Sequence, residues 1–216
     1  MKLEHGTPRE IEGESMRIIG RELEAMGIVL PAGCEAVVKR AIHTTADFDY
    51  ARNLRFTPGA VEAGVAALPA GTALVTDTNM ALSGVNRGAC EQLGVERFCY
   101  MADPQVAERA RAERTTRAAA AVDCWASEHP AGIFAVGNAP TALLRLAECM
   151  EAGTLRPALV IGAPVGFVNV VESKERIWSV CQDLDVPAIV AMGRKGGSTV
   201  AAAVCNALLY QAAGLR

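Results

Sequence analysis

PALVIGAPVGFVNVVESKERIWSVCQDLDVPAIVAMGR, residues 157–194, sets two short apolar runs on either side of a segment with helical composition. Each run carries a proline near its start, is rich in β-branched residues and is short enough for a fully buried strand. The segment between them, VNVVESKERIWSVCQDL, is long enough for the crossover helix that two parallel strands require. The same alternation continues upstream through TALVTDT (72–78), ERFCYMAD (96–103) and GIFAVGNAP (132–140), with PQVAERARAERTTRAAAAVDCWASEH as a further helical segment. Five such strands predict an α/β fold: a doubly wound, mainly parallel five-stranded sheet with helices on both faces.

The first 70 residues read differently. Ile11, Ser15, Ile19, Leu23 and Met26 recur at helical spacing, PAGCEAVVKRAI starts at Pro31 near a helix start, and a third helix is expected over 58–68. This part is expected to form an N-terminal helical layer (1–70) on the parallel core (71–216). No Gly/Ser-rich linker separates them, so a single domain over 1–216 is the expectation.

Hydrophobic residues make up 51% and charged residues 21%, too apolar a balance for a disordered chain. The opening MKLEHGTPRE lacks the apolar core of a signal peptide, and no run of 18 apolar residues follows. A cytoplasmic protein with no membrane partner is expected. Seven scattered cysteines, never in a compact ligand spacing, read as reduced packed thiols and give no metal site. A net charge of −3 offers no general attraction to nucleic acid, so an anion site must come from local arginine and lysine clusters.

Ligands of open parallel sheets collect where strands end and helices begin. At these places the sequence puts Asp77, Thr78 and Asn79, then Gly137, Asn138 and Pro140, then Arg194, Lys195, Gly196, Gly197, Ser198 and Thr199. Thr78 either caps a helix or lines a pocket; Gly137 and Asn138 form either a plain turn or a close approach to ligand. The glycine pair follows Lys195, the reverse of a Walker A order, and no G-x-G-x-x-G follows the first strand. Nucleotide chemistry is disfavoured on both counts. Arg109, Arg111 and Arg114 read as a solvated helix face, whereas Arg117 precedes small alanines and suits a carboxylate clamp. Ser15 lies on an apolar stripe, where its hydroxyl either bonds back to the preceding turn or, with Arg17, faces a ligand.

Among three histidines, His5 lies near the start and His129 precedes Pro130, leaving His43 alone inside patterned structure. It is either a packed imidazole or a lone acid–base group, because no zinc-ligand partner and no G-x-S-x-G elbow accompanies it.

In order along the chain, IEGESMRII, VVKRAIHTTADFDYARNLRF, TDTNMALSGVNR, GNAPTALLRL, PALVIGAPVGFVNVVESKE and VPAIVAMGRKGGSTVAAAVCNALL resemble the precorrin-8X methylmutase family of cobalamin biosynthesis. The resemblance spans about residues 10 to 210 and rests on six ordered phrases. It implies an isomerase that moves a methyl group from C11 to C12 of a corrin macrocycle, with or without cobalt in the substrate. It implies no protein cofactor, a homodimer with sites near the subunit interface, and His43 as the acid. Ser15, Arg17, Thr44, Thr78, Arg117, Asn138, Lys195, Gly196, Gly197 and Ser198 become the expected substrate contacts, since the substrate carries many carboxylates. TTRAAAAVD matches the family loosely. The competing readings are a tetrapyrrole carrier without turnover and, by fold analogy alone, a flavodoxin-like nucleotide binder.

Overall fold

The computed structural model describes residues 6–215, so His5 lies outside the described residues. Six strands form one sheet: β1 (Leu54–Phe56), β2 (Leu74–Thr76), β3 (Arg97–Phe98), β4 (Ile133–Val136), β5 (Leu159–Gly162) and β6 (Ala188–Ala191). Their order is β1-β6-β5-β4-β2-β3. The five expected strands are all present and pair in parallel. The expectation of five strands is corrected to six: LRF, inside the supposedly helical first 70 residues, adds β1 antiparallel to β6.

Successive strand residues point to opposite faces, and here both faces are apolar. Leu74, Ile133, Ala135, Leu159, Ile161 and Ile189 enter one core, packed by α1 (Pro8–Ala25), α2 (Glu35–Thr45), α4 (Ala60–Ala67) and α11 (Ser198–Ala212). Val75, Phe134, Val136, Val160, Ala188 and Val190 enter the other, under α7 (Pro104–Ala112), α8 (Arg117–Glu128), α9 (Pro140–Glu151) and α10 (Val170–Asp183). Alternate residues of the four inner strands thus serve different cores. The remaining helices are α3 (Tyr50–Asn53), α5 (Asn79–Gly84) and α6 (Arg87–Leu93).

Three local expectations change. The 104–129 segment breaks into α7 and α8, because Arg114 takes a left-handed φ of 54° and the Thr116 hydroxyl caps α8 by accepting from the Ala119 N–H. Pro31 lies in the turn ahead of α2, where its carbonyl accepts from the Cys34 N–H, and α2 starts at Glu35. The stripe read along α1 divides: Ile19 and Leu23 are buried, whereas Ile11 and Met26 are exposed. No helix among the described residues is long and apolar enough to cross a membrane.

Winding reverses between β2 and β4. From β2 the chain moves outward to β3, then crosses back to β4 and proceeds through β5 to β6, which lies beside the edge strand β1. In a doubly wound sheet such a reversal leaves a crevice at the carboxyl ends of the two central strands.

Candidate active site

The crevice is bounded by side chains that follow the strand ends. Asp77, at the end of β2, is buried, and its two carboxylate oxygens accept from the backbone N–H groups of Gly137, Asn138 and Ala139, each at 2.8 Å. Burial pushes the Asp77 carboxyl up, and these hydrogen bonds pull it down by less. One carboxyl group therefore fixes the whole turn after β4. Thr78 caps α5 through the Ala81 N–H at 3.0 Å and also meets the Ser198 hydroxyl at 2.8 Å. The two readings of Thr78 were not exclusive: it caps, and it also reaches the opposite wall.

Gly137 lies so near the start of α11 that a Cβ there would stand 2.7 Å from Ser198 Cα. Thr78, Asn138 and Ser198 are in this way brought to one place. Arg117 opens α8 next to Thr116, whose hydroxyl bonds that of Thr141 in the first turn of α9 at 2.8 Å. It is exposed on the same carboxyl edge of the sheet.

The loop after β6 forms the next wall. Gly196 packs on the backbone following β5, where an added Cβ would lie 2.2 Å from the Ala163 carbonyl oxygen and 2.6 Å from that of Pro164. The Gly197 N–H donates to the same Ala163 oxygen at 2.8 Å, with a φ of 129° that favours glycine. Gly197 caps α11 without a side-chain hydrogen bond, so first-turn N–H groups remain for an anion. Lys195 was expected to be a clamp for substrate. In this structure its Nζ instead donates to Asp47 and Asp49 at 2.6 Å each.

That contact brings in His43. It occupies the last turn of α2, four residues before Asp47, and is exposed. Partial burial, followed by the Arg40 charge one turn earlier, holds its pKa below the ordinary 6.5. Arg40 is itself fixed, paired with Glu12 and stacked over the Tyr210 ring at 5.1 Å. The imidazolium is therefore a stronger acid than a free one. The Thr44 hydroxyl donates to the Arg40 carbonyl at 2.9 Å.

Ser15 and Arg17 are not brought to the crevice within one chain. The Ser15 hydroxyl bonds back to the Ile11 carbonyl at 3.0 Å, Arg17 pairs with Glu14, and both line a hollow walled by α1 and the residues just ahead of it. Arg109 pairs with Glu113 and Asp123, Arg111 bonds the Ala107 carbonyl, and both stay on the solvated face of α7. His129 lies against Phe98 with ring centroids 4.3 Å apart and the planes tilted by 30°, and meets the Tyr100 hydroxyl at 3.0 Å. Among the described residues no group of three or more His, Cys, Asp or Glu is placed to hold a metal ion.

Sequence reasoning missed an apolar strip beside this edge. Val165, Phe167 and Val168 follow β5 and are exposed, Met80 of α5 is exposed as well, and Arg194 stacks on Phe167 at 5.3 Å. The run of large apolar residues just past a strand end was visible in APVGFVNVV, but Val165 was read into the strand and Val168 into the crossover helix. With the polar groups opposite, the edge offers an apolar surface and cationic or N–H donors, the two things a flat macrocycle ringed by carboxylates needs.

The family model for precorrin-8X methylmutase (CbiC) matches residues 10–211. The chain belongs to the precorrin-8X methylmutase family. A cobalt-precorrin-8 methylmutase of Priestia megaterium is 42% identical over 93% of this chain and 87% of its own length. One from Salmonella typhimurium is 44% identical over 94% and 95%. The solved precorrin-8X methyl mutase of Thermus thermophilus superposes with a TM-score of 0.83 at 41% identity, covering 94% of this chain and 98% of that one. The methylmutase match spans every segment of the crevice, from α2 to the start of α11.

Proposed function

We propose that this methylmutase is an intramolecular isomerase that moves a methyl group from C11 to C12 of precorrin-8X or its cobalt-containing counterpart, giving hydrogenobyrinic or cobyrinic acid. The family match over residues 10–211 carries the reading. His43 is the acid: its proton, given to a ring nitrogen, favours the tautomer that undergoes a [1,5]-sigmatropic methyl shift. The rearrangement needs no external nucleophile and no resident cofactor; proton transfer and orientation suffice. Cobalt, where present, arrives inside the substrate.

Arg117, the N–H groups of 196–198, and Thr78, Asn138 and Ser198 hold the peripheral carboxylates. Lys195 joins them through the third N–H of its ammonium while the other two stay on Asp47 and Asp49. The strip Val165, Phe167, Val168 supports one apolar face of the ring. A second copy of the chain supplies Ser15 and Arg17, and Thr44 meets substrate beside His43. This homodimer is supported by the outer face of α1, where Ile11 is 55% and Ile18 40% exposed beside Ser15 and Arg17. One domain carries the whole activity, and seven unpaired cysteines suit the reducing cytoplasm.

The test mixes wild type and His43→Ala with metal-free and with cobalt-containing substrate, following the visible spectrum and the product mass. A spectral change at constant mass, present in wild type and lost in a folded His43→Ala, is the expected outcome. A macrocycle bound but unchanged by wild type with either substrate would make the protein a carrier.

A further inference from the structure

Lys174 is fully buried in α10, and its Nζ donates to the carbonyls of Gly193 and Lys195 at 2.8 Å each. Lysine is among the residues least often buried, and an ammonium out of water is costly unless the groups around it require it. Burial alone holds its pKa down to about 8, so the charged form still prevails at neutral pH. Packing does not call for a charge here: the neighbouring buried positions of α10 are Val170, Ser173 and Ile177.

What the ammonium grips is the loop that forms one wall of the crevice. Gly193 takes a left-handed φ of 74°, and Gly196 and Gly197 press on the backbone after β5. The loop's backbone is thus held from inside by Lys174, while the side chain of Lys195 reaches outward to Asp47 and Asp49. Those two carboxylates lie in the segment that follows the last turn of α2, where His43 sits. A continuous tether runs from the buried Nζ through the Lys195 carbonyl and its own Nζ to the segment beside the acid.

We propose that Lys174 is a positioning residue: its buried hydrogen bonds to residues 193 and 195 set the distance between the loop after β6 and the segment carrying His43. The inference rests on the methylmutase reading. It assigns a role in the reaction to a residue that touches no reacting atom. A misplacement of about 1 Å in a proton donor lowers turnover by up to about a hundredfold, so the tether's effect belongs in kcat more than in KM.

The test compares wild type, Lys174→Met and the exposed double variant Asp47→Asn/Asp49→Asn, which cuts the far end of the tether without touching a core. Hydrogen exchange of peptides covering 193–197 and 47–49 is measured beside kcat and KM for precorrin-8X. In Lys174→Met, exchange is expected to rise about tenfold or more in both peptides, with kcat lower by about ten- to a hundredfold and KM changed less than threefold. The double variant loses kcat to a similar degree, and the combined triple variant loses no more than the larger single effect. A folded Lys174→Met with wild-type kcat overturns the proposal. So does exchange that rises along α10 and β6 but not at 47–49, the pattern of a merely structural lysine. If Lys174→Met fails to fold, the double variant decides, and wild-type kcat there refutes the tether. A wild type that turns over no substrate removes the methylmutase reading alone, because exchange at 47–49 still decides the tether.

Discussion

Changing Gly196 to alanine adds one methyl group at the tightest backbone approach in the crevice. Its carbon would stand 2.2 Å from the Ala163 carbonyl oxygen, 2.6 Å from that of Pro164 and 2.8 Å from the Ala163 carbonyl carbon. All three are backbone atoms, held in place by the end of β5, so no side chain can turn aside. The φ of Gly196 is not in the left-handed range, so the penalty is one of space alone. Relieving the contact moves the loop by about 1 Å, which breaks the 2.8 Å bond from the Gly197 N–H to the Ala163 oxygen. Lost hydrogen bonding costs about 1 kcal/mol and overpacking about 1–3 kcal/mol, a total of about 2–4 kcal/mol. The same displacement shifts Lys195 and the N–H donors of the loop, lowering kcat/KM by about a hundredfold. Urea unfolding measures the first quantity and spectral turnover of precorrin-8X the second. Gly13→Ala in α1, where the added carbon meets nothing within 4 Å, serves as the control and gains about 0.5–1 kcal/mol. A Gly196→Ala protein within about 0.5 kcal/mol of wild type and turning over at its rate would refute the claim that this contact sets the loop.

Two further outcomes follow from the same geometry. If His43 donates its proton, activity needs the imidazolium, and burial together with Arg40 favours the neutral ring; kcat/KM therefore falls as pH rises, with a midpoint below 6.5, and Arg40→Gln moves that midpoint upward. A wild-type midpoint above 6.5 in the pH–rate profile contradicts this assignment. Asp77→Asn replaces two acceptor oxygens by one and sets an amide NH2 against backbone N–H groups at 137–139; denaturant titration is expected to give a loss of about 3 kcal/mol, and a loss under about 1 kcal/mol would show that the turn holds itself.

The strands were legible because a sheet covered on both faces demands continuous apolar runs, and five such runs stand between helical segments. LRF was not legible as β1: it alternates apolar and charged residues, but three residues are too few for a period to register, and pairing with β6 makes them a strand. The inner and outer faces of α1 both carry isoleucines, so spacing could not tell Ile19, which is buried, from Ile11, which is not. Lys174 sits in ESKER, which reads as solvated charge; its burial depends on a loop twenty residues later closing over it. Lys195 was recognised as a crevice residue, but Asp47 and Asp49 lie almost 150 residues away, and their pairing is a tertiary fact. His43 was singled out by its isolation, and the structure adds partial burial, then the Arg40 charge, as the reason its acidity is raised.

The buried polar side chains among the described residues are Thr57, Thr76, Asp77, Ser173 and Lys174, and each bonds to the backbone. An enzyme built to activate a nucleophile aims buried polar groups at one another, as a base at a hydroxyl or a carboxylate at a base. Here they aim at backbone. Asp77 fixes the turn after β4, Thr76 bonds the carbonyls of Thr78 and Phe98, and Lys174 fixes the loop after β6. Three of the five therefore secure the segments at the carboxyl edge of the sheet, the edge on which the proposed acid, His43, is exposed. The proposed rearrangement keeps all its atoms on the substrate and asks the protein for one proton and a fixed orientation, and a rigid rim around the proposed acid suits both.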